Sequence, residues 1–172
     1  YVVNLSAPVN ASMPDAQGVG TITDDDPQPG IAVSDVTVVE GDAGTTNAAF
    51  TVSLDKPSGR TVSVDWAATA DTASAGADFT SGGGTLTFTP GQTSKTVNVA
   101  VKGDVLDEFD ESFTVDLTNV VHAIVTDPQG VGTITDDDAP AAVSVSDVAQ
   151  AEANAGTSLA SLTVSLDVAS GK

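Results

Sequence analysis

The chain has no cysteine, only five Lys and Arg residues, and no apolar run near the ~18 residues that a membrane-spanning helix needs. Without cysteine there are no disulfide bonds, but a domain of this size can hold a core without them, so the compartment stays open. The shortage of basic residues argues against binding to nucleic acid or to anionic membranes, because both require clustered positive charge. No direct membrane insertion is expected in this segment.

Negative charge is what the chain has in abundance. The 24 Asp and Glu residues against five basic residues give a formal net charge of −19. Charge of one sign repels itself in a compact state, so the chain either tolerates that cost or binds cations that relieve it. Disorder is another interpretation of an acidic chain, but a 40% share of hydrophobic residues and their regular alternation oppose it.

The sequence also repeats itself. The segment Gly-Val-Gly-Thr-Ile-Thr-Asp-Asp-Asp occurs at residues 18–26 and again at 130–138, an offset of 130 − 18 = 112. Self-similarity at a fixed period indicates tandem repeats, here joined end to end by short proline-containing linkers. We expect the chain to be a slice of a longer repetitive protein. The predicted parts are the C-terminal part of a preceding repeat at 1–26, a complete repeat at 30–138, and the N-terminal part of a following repeat at 143–172.

Within the complete repeat, apolar residues alternate with polar ones. Phe50, Val52 and Leu54 share one parity, which favours a half-buried β-strand, and no helical period is present. About seven such strands in a unit of about 110 residues are typical of an all-β, immunoglobulin-like β-sandwich. The first strand changes parity near Ser34-Asp35, which predicts a bulge or kink where it switches between two sheets. In the last strand, Val131 is expected to face outward.

Acidic residues cluster at three places that this fold would bring together. They are the run Asp136–Asp138 after the last strand, the loop 104–111 between two strands, and the scattered pair Glu40 and Asp78. Adjacent antiparallel strands place the end of one beside the start of the other, so Glu111 and Asp136 should share one end of the sandwich. Crowded carboxylates repel one another unless a cation binds, and Ca²⁺, with roughly six to eight oxygen ligands, fits better than Mg²⁺. The alternative is that these acidic turns are only solvated; no EF-hand loop is present.

Four motifs together resemble the Calx-beta domain family, and the resemblance covers the complete repeat. They are Gly76-Ala77-Asp78-Phe79, residues 84–93, residues 104–113 and Gly132–Asp138. The resemblance implies an immunoglobulin-like sandwich that binds a cluster of Ca²⁺ ions in its distal loops, near the joint to the next domain. The implied ligands are Glu40, Asp78, Asp104, Glu108, Glu111, Asp136, Asp137 and Asp138. Gly103 departs from the pattern, because exchanger domains carry an additional Asp there.

No arrangement of catalytic residues is visible, and we do not expect an enzyme. His122 is the single histidine, with no nucleophile or second base nearby, so we interpret it as a surface residue. Paired carboxylates can hydrolyse glycosides, but Phe109 is the only aromatic residue within the acidic cluster. Trp66 occupies an inward strand position and is interpreted as a core residue.

The favoured function is a Ca²⁺-binding structural repeat of a long extracellular protein. That protein would be an adhesin, stalk or surface filament at the cell surface, with calcium stiffening the joints between repeats. The expected partners are the neighbouring repeats of the same chain, with other copies in a filament as a further candidate. Two alternatives stay open: a Ca²⁺ sensor that regulates an attached transporter or enzyme, and a passive spacer that binds nothing specific.

Overall fold

The computed structural model describes all 172 residues and is built of β-strands joined by turns and loops. It has no helix with the length and apolar character needed to cross a membrane. In chain order the strands are β1 Val2–Asn4, β2 Gln17–Val19, β3 Gly30–Val33, β4 Val36–Val39, β5 Gly44–Leu54, β6 Val62–Ala70, β7 Gly83–Phe88, β8 Ser94–Gly103, β9 Glu111–Val121, β10 Ile124–Asp127, β11 Gln129–Thr135, β12 Val143–Val145 and β13 Val164–Leu166.

Strands β3 to β11 form two sheets. One sheet has the order β10-β3-β5-β8, and the other has the order β4-β11-β9-β6-β7. These are nine strands where the sequence predicted about seven. The difference arises because the first predicted strand is divided between the two sheets as β3 and β4, and because the sequence did not predict the short strand β10 before β11. The predicted immunoglobulin-like β-sandwich is confirmed.

The division of the first strand lies where its parity changes. Strand β3 ends at Val33 in one sheet, and β4 begins at Val36 in the other. Ser34 holds the crossing point, because its backbone N–H donates to Thr51 O at 2.9 Å and its Oγ accepts from Thr51 N at 3.0 Å. Asp35 Oδ1 accepts from Val131 N at 2.7 Å, which ties the crossing to β11. The kink predicted near Ser34-Asp35 is confirmed.

The core lies between the two sheets. Phe113 is fully buried at its centre, stacked on Phe79 at a centroid distance of 4.7 Å and edge-on to Phe50 at 5.7 Å. Trp66 is half-buried and packs against the edge of this cluster rather than inside it. Val131 is 38% exposed, as its parity predicted. Burial of the aromatic side chains and of the alternating aliphatic ones provides the main stabilisation of the unit.

The flanking segments pair in the register of the central unit. Strands β1 and β2 pair Asn4 with Gln17, and residues 112 positions later pair in the same way, Asp116 with Gln129. Strands β12 and β13 pair Val143 with Leu166, matching Ile31 with Leu54. All residues of these four short strands are exposed. The repeat in sequence is thus a repeat in strand pairing, while the domain boundaries stay predictions.

Candidate metal centre

One end of the sandwich gathers the acidic residues, because several strands begin or end there. Glu111 opens β9 and pairs with Ile134, close to the end of β11. The backbone N–H of Asp136 donates to Asp110 Oδ1 at 3.1 Å, which joins the two segments. This placement agrees with the antiparallel argument made from the sequence. Strand β4 runs parallel to β11, so Glu40 follows Val39 at the same end and donates its N–H to Thr135 O at 3.3 Å.

Six of the eight residues proposed from the sequence form two compact carboxylate groups. Within each group, carboxylate oxygens lie within 4.8 Å of one another. We call them the inner triad and the outer triad. The inner triad is Glu40, Asp136 and Asp138, and the outer triad is Asp78, Glu108 and Glu111.

The other two proposed residues lie beside the triads rather than in them. Asp104 caps its own loop, since its Oδ1 accepts from Leu106 N at 2.8 Å, and its charge acts on Glu40 and Glu108. Asp137 Oδ1 accepts from Gly41 N at 3.0 Å. Both carboxylates therefore hold the loops and add negative charge at the edge of the site.

A short turn anchored in the core positions Asp78. Phe79 is fully buried against Phe113, so the residue before it is fixed at the rim of the sandwich. Asp78 Oδ2 accepts from Ser74 N at 2.5 Å, and the Asp78 N–H donates to Ser74 O at 3.0 Å. Gly76 has φ of 98°, a conformation that side chains disfavour. The Gly-Ala-Asp-Phe motif is thus a glycine-dependent turn that presents a carboxylate.

Gly103 has a structural reason for lacking a side chain. A Cβ built on it would lie 1.8 Å from Gly41 O and 2.7 Å from Glu40 O. The backbone that connects β4 to β5 therefore occupies the space where a ligand at position 103 would start. In this chain the turn after Glu40 and the end of β8 are packed backbone to backbone.

Glu40 and Glu111 have strongly perturbed acidities. Burial raises the pKa of Glu40 to about 7, and the charges of Asp104, Glu108, Asp136 and Asp138 add to the rise. The pKa of Glu111 is also raised to about 7, first by burial, then by its hydrogen bond and charge interaction with Asp78, and then by Glu108. The ionised form is disfavoured at both positions, because charge is crowded into a site with little access to water.

The pKa values of three further carboxylates are also shifted. Those of Glu108 and Asp138 are raised, and that of Asp136 is lowered. Burial is the largest cause that raises the pKa of Glu108 and of Asp138, followed by neighbouring carboxylates. Asp136 differs: burial would raise its pKa, but backbone N–H groups and the Lys172 ammonium outweigh burial and lower it. Asp136 is thus the one member of the inner triad with a positive partner.

An unpartnered oxygen tests whether the residues suit a metal ion. Asp138 Oδ2 is buried and has no hydrogen-bond partner. A buried carboxylate oxygen without a partner carries a desolvation cost that a bound cation would remove. The donors in both triads are all carboxylate oxygens, without His or Cys, which is the chemistry of hard cations such as Ca²⁺. The residues present therefore fit a calcium ion.

Sequence reasoning did not single out Asp107 within the acidic loop. Its exposed fraction is only 5%, and its carboxylate pairs with the Lys172 ammonium. Five of the eight residues of that loop are acidic, so the sequence pattern alone does not distinguish the carboxylate that is turned inward. The repeat offset, which places Lys172 at the position of Arg60, is the one sequence signal that could have drawn attention to this contact.

Known proteins with similar sequences include sodium/calcium exchangers. Exchanger 1 of Bos taurus is 38% identical over 71 residues, which are 41% of this chain and 7% of the exchanger. Exchanger 1 of Canis lupus familiaris is 43% identical over 60 residues, which are 35% of this chain and 6% of the exchanger. This chain therefore spans less than a tenth of the length of these relatives.

Solved structures and the model of a protein family both match this chain. The apo-form Calx CBD1 domain is 26% identical with a TM-score of 0.56, over 65% of this chain and 100% of that one. The calcium binding domain CBD12 of CALX1.1 is 26% identical with a TM-score of 0.58, over 68% of this chain and 50% of that one. The family model of the Calx-beta domain matches residues 23–139, which is more than half of the chain. The chain belongs to the Calx-beta domain family.

Proposed function

We propose that this chain binds Ca²⁺ at the inner and outer triads. The observation that carries the proposal is the buried, unpartnered Asp138 Oδ2 within a group of three carboxylates. Glu40, Asp136 and Asp138 would hold one ion, and Asp78, Glu108 and Glu111 would hold another. The ion supplies the positive charge that the crowded site lacks. One solved relative is described as a calcium binding domain, which supports the same ligand here.

We further propose that calcium braces the joint between repeats. The triads draw on the turn after β4, the turn before Phe79, the loop before β9, and the segment after β11 that continues into the next repeat. Neutralising carboxylates on four separate segments would hold those segments together. An array of such repeats suits an adhesin, stalk or surface filament outside the cell. In this role the domain binds and supports, and it carries out no catalysis.

A Ca²⁺ sensor attached to a transporter is the second candidate. It is favoured by the similarity of residues in this chain to sodium/calcium exchangers. The repeated strand register at both flanks favours the structural role instead, because a sensor needs only one or two copies. Small-angle scattering of several linked repeats separates the structural role from a third candidate, a passive spacer that binds nothing specific. A structural stalk lengthens when Ca²⁺ is added and keeps a straight, rod-like profile, whereas a passive spacer has the same profile with and without it.

Calorimetric titration tests the binding itself. We expect heat of binding with CaCl₂, a weaker response with MgCl₂, and loss of much of the calcium response in Glu111→Gln. Glu152→Gln is the matched control, since Glu152 is exposed and lies outside both triads. Absence of any saturable Ca²⁺ binding at millimolar concentration would refute the proposal, as would an equal loss in the Glu152 control.

A further inference from the structure

A segment of the following repeat lies against the acidic end of the central unit. Ser170 forms an isolated β-bridge with Asp107, and Gly171 N donates to Asp107 O at 3.1 Å. The Lys172 ammonium pairs with Asp107 Oδ1 and lies 3.4 Å from Asp136 Oδ2. It also lies 5.4 Å from the centroid of the Phe109 ring. Backbone, charge and aromatic contacts therefore converge on a stretch of three residues, Ser170 to Lys172.

Asp107 requires such a partner. It is one of only two buried charged residues, with an exposed fraction of 5%. A buried carboxylate without a counter-ion is strongly disfavoured, and Lys172 is the only basic side chain that contacts this one. The contact thus satisfies a group of one repeat with a group of the next.

The joint before the central unit brings equivalent residues to one cleft. Subtracting the offset of 112 carries Lys172 onto Arg60, and Asp136 and Asp138 onto Asp24 and Asp26. Arg60, Asp24 and Asp26 line one cleft of about 470 Å³, together with Pro57, Ser58 and Gly59 from the loop between β5 and β6. Two of the five basic residues of the chain therefore occupy equivalent positions: Lys172 contacts Asp136 of the acidic run before it, and Arg60 shares a cleft with Asp24 and Asp26.

We propose that the loop of each repeat equivalent to the one between β5 and β6 docks on the acidic end of the repeat before it, and that the basic residue of this loop is the counter-ion of that end. The partner of this surface is the next copy of the repeat in the same chain. The contact uses Asp107, which belongs to neither triad, as well as Asp136 of the inner triad, and it forms without calcium. It gives each joint a defined contact in the ion-free state, which goes beyond the proposed calcium function.

An engineered disulfide tests the docking directly, since the chain has no native cysteine. Residues opposite each other in a β-bridge have Cα atoms ~5 Å apart, within the range that a disulfide spans. We expect Asp107→Cys with Ser170→Cys to form an intramolecular disulfide in EDTA buffer, detected as a mass decrease of two hydrogens. The control is Ser94→Cys with Ser170→Cys, since Ser94 lies at the opposite end of the ten-residue strand β8, ~30 Å away. No disulfide in the first variant, or equal cross-linking in the control, would overturn the docking.

Hydrogen exchange in the chain without cysteines tests the counter-ion. The Gly171 amide should be protected, because it donates to Asp107 O. Lys172→Gln should speed its exchange roughly tenfold, which corresponds to about 1.4 kcal/mol, whereas Lys172→Arg should retain the protection. Lys95→Gln removes the same charge at the far end of β8 and should change nothing. The counter-ion role would be refuted by an unprotected Gly171 amide, or by an exchange rate in Lys172→Gln equal to that of the parent chain. All these measurements are made in EDTA, so they stand or fall separately from calcium binding.

Discussion

Glu40→Gln should have opposite effects on stability with and without calcium. Glu40 is 6% exposed and faces the charges of four other carboxylates, which together with burial bring its pKa from an ordinary 4.5 to about 7. At about 1.36 kcal/mol per pKa unit, ionising it in the folded protein costs at most about 3.4 kcal/mol. Buffer counter-ions reduce that cost, so we expect about 2 kcal/mol.

The sign follows from which state binds the proton. Between pH 4.5 and about 7 the folded protein holds a proton on Glu40 that the unfolded chain has released. Stability without metal is therefore full below this window and falls as pH rises through it. Glutamine resembles the protonated carboxyl group. In EDTA at pH 8, Glu40→Gln should thus be more stable than the parent, with a melting temperature higher by roughly 8 °C for a unit of this size. At pH 5 the difference should nearly vanish.

Saturating Ca²⁺ should reverse the order of stability, so that the parent protein becomes more stable than Glu40→Gln. The ion removes the repulsion in the parent protein, and the variant has lost one of the three carboxylates of the inner triad. Thermal unfolding by circular dichroism at pH 5 and pH 8, in EDTA and in Ca²⁺, supplies all four comparisons. Glu152→Gln is the control and should be neutral in each, because Glu152 is exposed in the following segment. If Glu40→Gln destabilises equally under all four conditions, the residue is a structural one and the argument from charge crowding fails.

Three further predictions follow from single contacts. Asp138→Asn should weaken Ca²⁺ binding by roughly tenfold or more in calorimetry, since it removes charge and replaces the unpartnered Oδ2; unchanged affinity would exclude Asp138 as a ligand. Gly103→Ala should destabilise the protein by about 2 kcal/mol in chemical denaturation, because its Cβ would meet Gly41 O at 1.8 Å, whereas Gly59→Ala, with open space around it, should be nearly neutral. Phe113→Ala should cost about 3–5 kcal/mol as a fully buried ring, and Phe109→Ala, 73% exposed, well under 1 kcal/mol. Equal effects of the two phenylalanine changes would contradict the assigned core.

The sequence determines the fold most clearly where information is local. Alternation identifies Phe50, Val52 and Leu54 as inward, and their exposed fractions are 0%, 0% and 5%. The parity change near residue 34 indicates a crossing between sheets, because side-chain direction alternates strictly along a strand. Phe79 gives no such signal, since it lies in a turn rather than in an alternating strand. Its burial depends on Phe113, which is distant in sequence.

Composition identifies the acidic end but not its internal arrangement. Glu40 reaches Asp136 only because β4 runs parallel to β11, a pairing across about 100 residues that local patterns do not encode. For the same reason the sequence does not separate the members of the two triads from Asp104 and Asp137, which hydrogen-bond to backbone instead. A carboxylate's role is set by the loop backbone around it, and the three-dimensional packing decides that backbone.

The location of the charge separates what calcium would change from what it would leave intact. The 18 buried hydrophobic residues form one cluster between the sheets, whereas both triads lie beyond or at the strand ends. The core therefore does not depend on the ion for its packing, and electrostatic repulsion is confined to segments that lead into the next repeat. Asp136 belongs both to the inner triad and to the Lys172 contact, so ion and ammonium meet at the same carboxylate. We infer that loss of calcium loosens or rearranges the joint while the sandwich itself stays folded, because the two are stabilised by different forces acting in different places.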